Sequence, residues 1–386
     1  MNSLIEKLDT SSKLPKIAYT DVSIKEIKTK TDELYSIYFD KFYDKRFHTY
    51  LDIDKCNDGF RVSKRPIIKP RKKYIEVKAD IKTLDDLIQL INDYPSLEHV
   101  KYNINIEGLH HIRKYLIKLN AFIGLEELKE NLLDQLIYFM HGKTDDYLHT
   151  VLYGPPGTGK TEIAKLLGLI YTKLGILKKG TFVKVTRSDF VAGYLGQTAI
   201  KTQKLIEDNL GGVIFIDEAY AMGNEEKRDS FSKEALDTLC EMLSDHKDEL
   251  MVIIAGYRKE LDTCFFSYNP GLVSRFAWQF EIEEYTAEQL RRIFHKKVGD
   301  ARWSIEEGVA CDNWFNERME SFKNYGRDME NLFSKCKICY YRRNFGKKNT
   351  RPELSKIDLE RGYDKYMKYT AKNSNEKESA PNFMYS

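Results

Sequence analysis

Residues Gly154-Pro155-Pro156-Gly157-Thr158-Gly159-Lys160-Thr161 have the types and spacing of a loop that wraps phosphate. Its glycines let backbone N–H groups curl around phosphate oxygens, and a helix beginning at Lys160 adds partial positive charge. Lys160 would reach the β- and γ-phosphates of a nucleotide, and the Thr161 hydroxyl would ligate Mg²⁺. An ordinary Gly/Pro turn would need no special flanks, but this one has them. Thr150-Val151-Leu152-Tyr153 reads as a short buried strand, and Glu162 to Leu169 carries apolar residues at helical spacing.

A second chemical feature lies downstream in Gly212-Val213-Ile214-Phe215-Ile216-Asp217-Glu218. Apolar strand residues there end in two carboxylates. Burying such a strand aims Asp217 at the phosphate loop, where it would hold Mg²⁺ through water. Glu218 would polarise the water that attacks the γ-phosphate, acting as general base or orienter.

These groups need a scaffold, and the surrounding sequence describes one. From Val151 on, apolar strands (151–153, 182–185, 212–216, 251–255 and 278–282) alternate with amphipathic helices. Such alternation predicts a parallel sheet covered by helices on both faces, with ligands at the C-terminal ends of the strands. Before it, Leu128, Leu132, Leu133, Leu136 and Met140 form the apolar stripe of a helix. After Tyr285 the chain turns helical, opening with a Thr286-Ala287-Glu288-Gln289 capping box and continuing with helices over 311–322, 328–341 and 358–369. The polar stretch from Lys372 to Ser386 is expected to be disordered.

The first 119 residues differ in character. Leu34 to Tyr43 is aromatic and amphipathic, and Arg61, Lys64, Arg65, Lys69, Arg71, Lys72 and Lys73 follow without an acidic residue between them. That basic stretch could be a solvated linker, a dock for an acidic protein surface, or a nucleic-acid contact. Pro66 and Pro70 argue against a helix in a DNA groove. Tyr74 to Lys78 and Val100 to Ile106 alternate like strands, Thr83 looks like the N-cap of a helix over 84–91, and 109–119 reads as another helix. The division expected is an N-terminal α+β accessory domain over 1–119, an α/β core over 120–284, a helical lid over 285–370 and a tail over 371–386.

The 386 residues, 42% hydrophobic and 31% charged with a net charge of +3, describe a multidomain globular chain. The charge by itself points to neither nucleic acid nor membrane. No apolar run is long enough to span a bilayer and no signal-peptide core is present, which favours an intracellular, most simply cytoplasmic, location. Six irregularly spaced cysteines suit a reducing interior. Cys336 and Cys339 share one face of a predicted helix, where core packing explains them better than a metal or redox pair.

Phosphate loop, Asp217-Glu218 strand end and helical lid together resemble the AAA+ ATPases, and more closely the CbbX/SpoVK-like (CfxQ-like) group, to which ATPases of some large DNA viruses are similar. The resemblance is carried by 152–162, 188–202, 212–220, 228–243 and 252–286, and covers 121 to 369 but not the N-terminal domain. It implies a P-loop NTPase core with Mg²⁺-dependent ATP hydrolysis in a ring, hexameric in the family pattern. It assigns the nucleotide to Gly124 and Pro155 through Thr161, with Thr161 and Asp217 at the metal.

Further roles come from the resemblance alone. Ile123-Gly124 looks like the hinge that contacts adenine, and Tyr194-Leu195-Gly196 looks like the aromatic pore loop that grips a polypeptide client. Arg275 resembles the arginine finger that completes a neighbouring subunit's site, and Arg327 the sensor-2 arginine of the lid. One position departs from the general pattern. Strand 251–255 leads to Gly256-Tyr257 where many relatives carry Asn or Thr, so the water-sensing role falls to Tyr257 or elsewhere. Remodelling of a protein client is the function implied; a nucleic-acid remodeller and an ATP-switched scaffold are the alternatives.

Overall fold

In the computed structural model the described residues are 51–56, 59–64, 73–142, 146–194, 196–226, 229–347 and 351–378. The chain divides into two compact units, Met1–Arg71 and Lys72–Ser386. In the first, β1 (Leu51–Cys56) and β2 (Gly59–Lys64) form an antiparallel hairpin, with Leu51 opposite Lys64 and Cys56 opposite Gly59. Arg61 and Lys64 of the basic stretch therefore belong to a strand, not to a linker. The aromatic stretch 34–43 and residues 65–72 lie outside the described residues.

The second unit is built on a five-stranded parallel sheet in the order β6-β7-β8-β5-β9. Its strands are β5 (Thr150–Tyr153), β6 (Phe182–Val185), β7 (Val213–Asp217), β8 (Met251–Gly256) and β9 (Trp278–Glu281). Alternation sends successive side chains to opposite faces, and both faces are buried. Leu152, Val213, Phe215, Met251, Ile253 and Ala255 enter one core. Val151, Tyr153, Ile214, Ile216, Val252 and Ile254 enter the other. This is the predicted P-loop α/β architecture. The first strand of the sheet, β5, sits between β8 and β9, so the chain reverses its winding beside it. A crevice at such a switch point is where these sheets bind ligands.

Residues on either side of the boundary expected near 119 lie in one compact unit. Short parallel strands β3 (Lys73–Ile75) and β4 (Val100–Tyr102), with helices α1 (Leu84–Asp93) and α2 (Ile106–Asn120), belong to the same unit as the sheet. Thr83 caps α1 with a full capping box to Asp86. Leu84, Leu87, Ile91, Leu109, Ile112 and Leu116 are buried in one continuous core with the sheet. The strand expected over 100–106 is shorter because Asn105 accepts from Gly108 N and starts α2 at Ile106. Next, α3 (Glu126–Met140) follows a sharp turn in which Gly124 and Leu125 both have left-handed backbone.

Helix α4 (Lys160–Lys173) follows the phosphate loop and packs against α2. After β6 come α5 (Arg187–Phe190) and α6 (Thr198–Asp208), then α7 (Ser230–Asp245) after β7. The short helices α8 (Arg258–Cys264) and α9 (Gly271–Arg275) precede β9.

The C-terminal part is helical as predicted. Helix α10 (Ala287–Asp300) opens on the Thr286–Gln289 capping box. The helix expected over 311–322 is broken into α11 (Asp312–Asn316) and a 3-10 turn at Met319–Ser321. Helix α12 (Tyr325–Arg343) packs on α10 and on α13 (Lys356–Glu378). Between them a two-residue parallel pair, β10 (Ser304–Ile305) with β11 (Glu353–Leu354), was not foreseen. Helix α13 runs past Lys372, where a disordered tail was expected. Ala371, Lys372, Glu376, Lys377 and Glu378 are good helix formers, and no proline intervenes before Pro381. Cys336 and Cys339 are free thiols buried on α12. Burial pushes the Cys336 thiol well above its ordinary pKa, which suits a packed core residue.

Candidate active site

At the C-terminal ends of β5, β7 and β8 the sheet opens into a cleft of about 590 Å³, the size of a small-molecule site. Gly154, Pro156, Gly157, Thr158, Gly159, Lys160 and Thr161 line it together with Asp217, Glu218 and Arg327. Residues far apart in sequence thus meet where the spacing arguments required. Pro155 stands behind the lining, and its carbonyl shapes the loop by accepting from Thr158 Oγ1 (2.9 Å) and Lys160 Nζ (2.7 Å). Lys160 Nζ also donates to Gly154 O at 2.8 Å. Gly157 and Gly159 have φ of +79° and +95°, which a side chain resists. Burial pushes the Lys160 pKa down and Arg327 adds to this, against the opposing pull of Asp217 and Glu218.

β7 delivers Asp217 at its last residue, next to Ala255 of β8. Asp217 Oδ2 accepts from Lys184 Nζ of β6 at 2.7 Å. Glu218 is exposed and adopts φ 53° and ψ 47°, a left-handed backbone that non-glycine residues rarely take. Strain of this kind concentrates where a side chain must be aimed, here into the cleft from the strand's end. Gly256, the last residue of β8, and Tyr257 after it line the same cleft. Tyr257 pairs with Tyr220 at a ring distance of 6.4 Å, and burial with nearby Glu260 and Glu218 raises the Tyr257 pKa.

The lid closes one side of the cleft through contacts that sequence spacing does not disclose. Gly326 N donates to Gly157 O at 3.1 Å, and a Cβ on Gly157 would lie 1.9 Å from Asn324 O. Tyr285 OH donates to Thr158 O at 3.2 Å, and its ring meets Tyr325. Arg327, one residue after Gly326, therefore enters the lining at the start of α12. Phe122 and Ile123 line the cleft, with Ile293, Lys296 and Lys297 of α10 also in the wall. Gly124, expected beside adenine, is not in that lining; its backbone instead abuts the Gln289 side chain. Lys296 Nζ donates to Ala121 O at 2.7 Å, tying α10 to the end of α2.

Two expected groups lie away from the cleft. Arg275 ends α9, where Nε donates to Ser244 Oγ (2.9 Å) and Nη1 to Gly271 O (2.9 Å). Tyr194 stands on the loop between α5 and α6 and is 74% exposed, with Gly196 beside it in left-handed backbone. Leu195 lies outside the described residues. The contributions of Tyr285, Asn324, Lys184 and Lys296 had no signal in the sequence, because each depends on a long-range backbone or charge contact.

Comparison with known proteins agrees with this geometry. The family described as ATPase family associated with various cellular activities (AAA) matches residues 150–284. The chain is 37% identical over 307 residues to the cfxQ-like protein R730 of Acanthamoeba polyphaga mimivirus, covering 76% of this chain and 74% of that protein. It is 30% identical over 291 residues to the CfxQ homologue of Trieres chinensis, covering 72% of this chain and 96% of that one. Stage V sporulation protein K of Bacillus subtilis is 36% identical over 211 residues, covering 52% of this chain and 65% of that protein.

Proposed function

The chain belongs to the CfxQ-like group of AAA+ ATPases and hydrolyses ATP, and from that premise we propose that it assembles into a ring and remodels a protein client. The observation that carries the client reading is Tyr194. A large aromatic side chain left mostly in water, on a loop flanked by glycines, offers a contact that tolerates any polypeptide sequence. Its loop leads into α6, the helix before β7, and β7 ends at Asp217 with Glu218 next in the chain, so motion at the nucleotide has a short path to the client.

In this reading Pro156 through Thr161 cradle the phosphates, Lys160 and Arg327 meet the negative charge, and Glu218 orients the attacking water. Phe122 and Ile123 take the base, with Gly124 supporting them. Mg²⁺ fits the donor set. Among the described residues no cluster of three or more His, Cys, Asp or Glu could hold a metal by itself. A hydroxyl (Thr161) and one carboxylate (Asp217) beside a phosphate cradle suit an ion that keeps most of its waters and binds with the nucleotide. When bound, it would offset charge on the phosphates. Arg275 would complete the site of a neighbouring copy, since its own cleft lies elsewhere. Among the described residues no helix is long and apolar enough to cross a membrane, and a cytoplasmic workplace is part of the same proposal.

The test is a trap. Tagged Glu218→Gln protein, which should bind ATP without turning it over, is recovered from the source cell with ATP, beside the same protein carrying Tyr194→Ala. A protein held by the first and lost by the second supports the reading. Partners indifferent to Tyr194, or nucleic acid alone, would refute it.

A further inference from the structure

The Tyr194 loop has a free tip and a held root. At Gly193 and Gly196 nothing lies within 4 Å of where a Cβ would stand. The root is different. Val191 N donates to Arg187 O (3.0 Å), and Ala192 N to Thr198 Oγ1 (3.2 Å). Thr198 and Thr202 are fully buried, and Thr202 Oγ1 faces Phe190 O at 3.4 Å. Ala199 N donates to Glu234 Oε1 of α7 at 3.2 Å.

Across this root reaches Lys201. Its stem is exposed, yet its ammonium donates to Ser188 O at 2.6 Å and to Val191 O at 2.8 Å. Ser188 is the second residue of α5, a helix of four residues, and Val191 is its C-cap. So short a helix satisfies almost none of its own carbonyls and is marginal by itself. A cationic donor there supplies the missing partners and opposes the negative end of the helix dipole. Because the bonds span ten and thirteen residues, they also close the loop at its base. An ordinary solvated lysine would do neither.

We propose that Lys201 is a positioning residue for the client-contacting loop. Its ammonium locks α5 to α6, so that force on Tyr194 reaches both helices instead of unravelling Val191 to Thr198. The proposal deepens the client reading and rests on Tyr194 being the contact.

The test compares wild type, Lys201→Met, Lys201→Arg and Tyr194→Ala in the full chain. Two quantities are read: hydrogen exchange at the Val191 and Ala192 amides, and the ratio of ATP turnover with and without casein as an unfolded polypeptide. Amides of α7 and β8 report that the fold is intact. In Lys201→Met, exchange at both amides should accelerate about tenfold, as local opening energies of this size allow. The casein ratio should fall to about one, since loop and helices then move independently. Lys201→Arg, which keeps the donors, should restore both, and Tyr194→Ala should lose only the casein ratio. Unchanged exchange in Lys201→Met overturns the inference, as does an arginine that behaves like methionine. A casein ratio lost in Tyr194→Ala but kept in Lys201→Met overturns it while sparing the client reading. A ratio indifferent to both variants sinks both.

Discussion

At the scale of single residues, the roles proposed for the cleft separate binding from turnover. Lys160 is buried in the phosphate loop with its ammonium on loop carbonyls, so Lys160→Ala removes a charge-assisted donor without touching the core. ATP affinity is expected to fall about 10- to 100-fold by fluorescent-nucleotide titration. Glu218→Gln keeps the shape of an exposed side chain and removes the proposed base. Turnover should drop about 10²- to 10⁴-fold while ATP affinity moves less than about threefold. A variant that lost both together would mean that Glu218 holds nucleotide instead of orienting water. These two residues were legible because their chemistry is local: a loop, a strand end, a fixed spacing. Lys184 was not, since only the register of β6 beside β7 brings its ammonium to Asp217.

At the scale of elements, the phosphate loop and the lid share a seam. Gly157 contributes a carbonyl to Gly326 and has no room for a side chain beneath Asn324 O. Gly157→Ala therefore strains the loop at φ +79° and pushes the lid away, beyond the usual cost of a Gly substitution. ATP affinity should fall at least about tenfold while the melting temperature shifts by only a few degrees. A wild-type affinity would show that the seam is dispensable. The core of the sheet makes a second, independent statement. His149 is fully buried at the start of β5, where Nδ1 accepts from Val252 N (3.1 Å) and Nε2 faces Leu243 O. Burial depresses its pKa to about 4. The folded state therefore refuses a proton that the unfolded chain accepts from pH 6.5 downward. The stability it contributes is complete above about pH 6.5, declines between 6.5 and 4, and is gone below, a total of roughly 3 kcal/mol. Urea unfolding at pH 7 and 5 should show this loss in wild type and a flatter response in His149→Asn; equal pH slopes would contradict it.

Elements were also where sequence reading succeeded and failed most clearly. Thr83, Thr286 and the strands around Ile214 and Ile253 announced themselves through capping chemistry and continuous apolar runs. The fate of residues 73–120 did not. The stripe Leu84, Leu87, Ile91 says that α1 buries a face, but not which surface covers it, and the answer is the same core that supports the ATPase sheet. The two residues of the expected Ile123-Gly124 hinge divide for a similar reason: Ile123 lines the cleft with Phe122, while Gly124 packs by Gln289, and only packing shows this.

At the scale of the whole molecule, the site is incomplete within one chain if Arg275 is the group that stabilises the transition state. Its guanidinium is held by Ser244 and Gly271, remote from the lining of its own cleft. Specific ATPase activity should accordingly rise with protein concentration as copies associate. The most direct measurement is complementation. Lys160→Ala, which keeps Arg275 but should bind ATP only weakly, is mixed with Arg275→Ala, which should bind ATP but lack the donor. Each alone is expected to be nearly inactive, and the mixture should recover a substantial part of wild-type turnover as mixed assemblies form. A mixture that co-assembles, as judged by size, yet stays at the level of its inactive parents would contradict a site shared between neighbouring subunits.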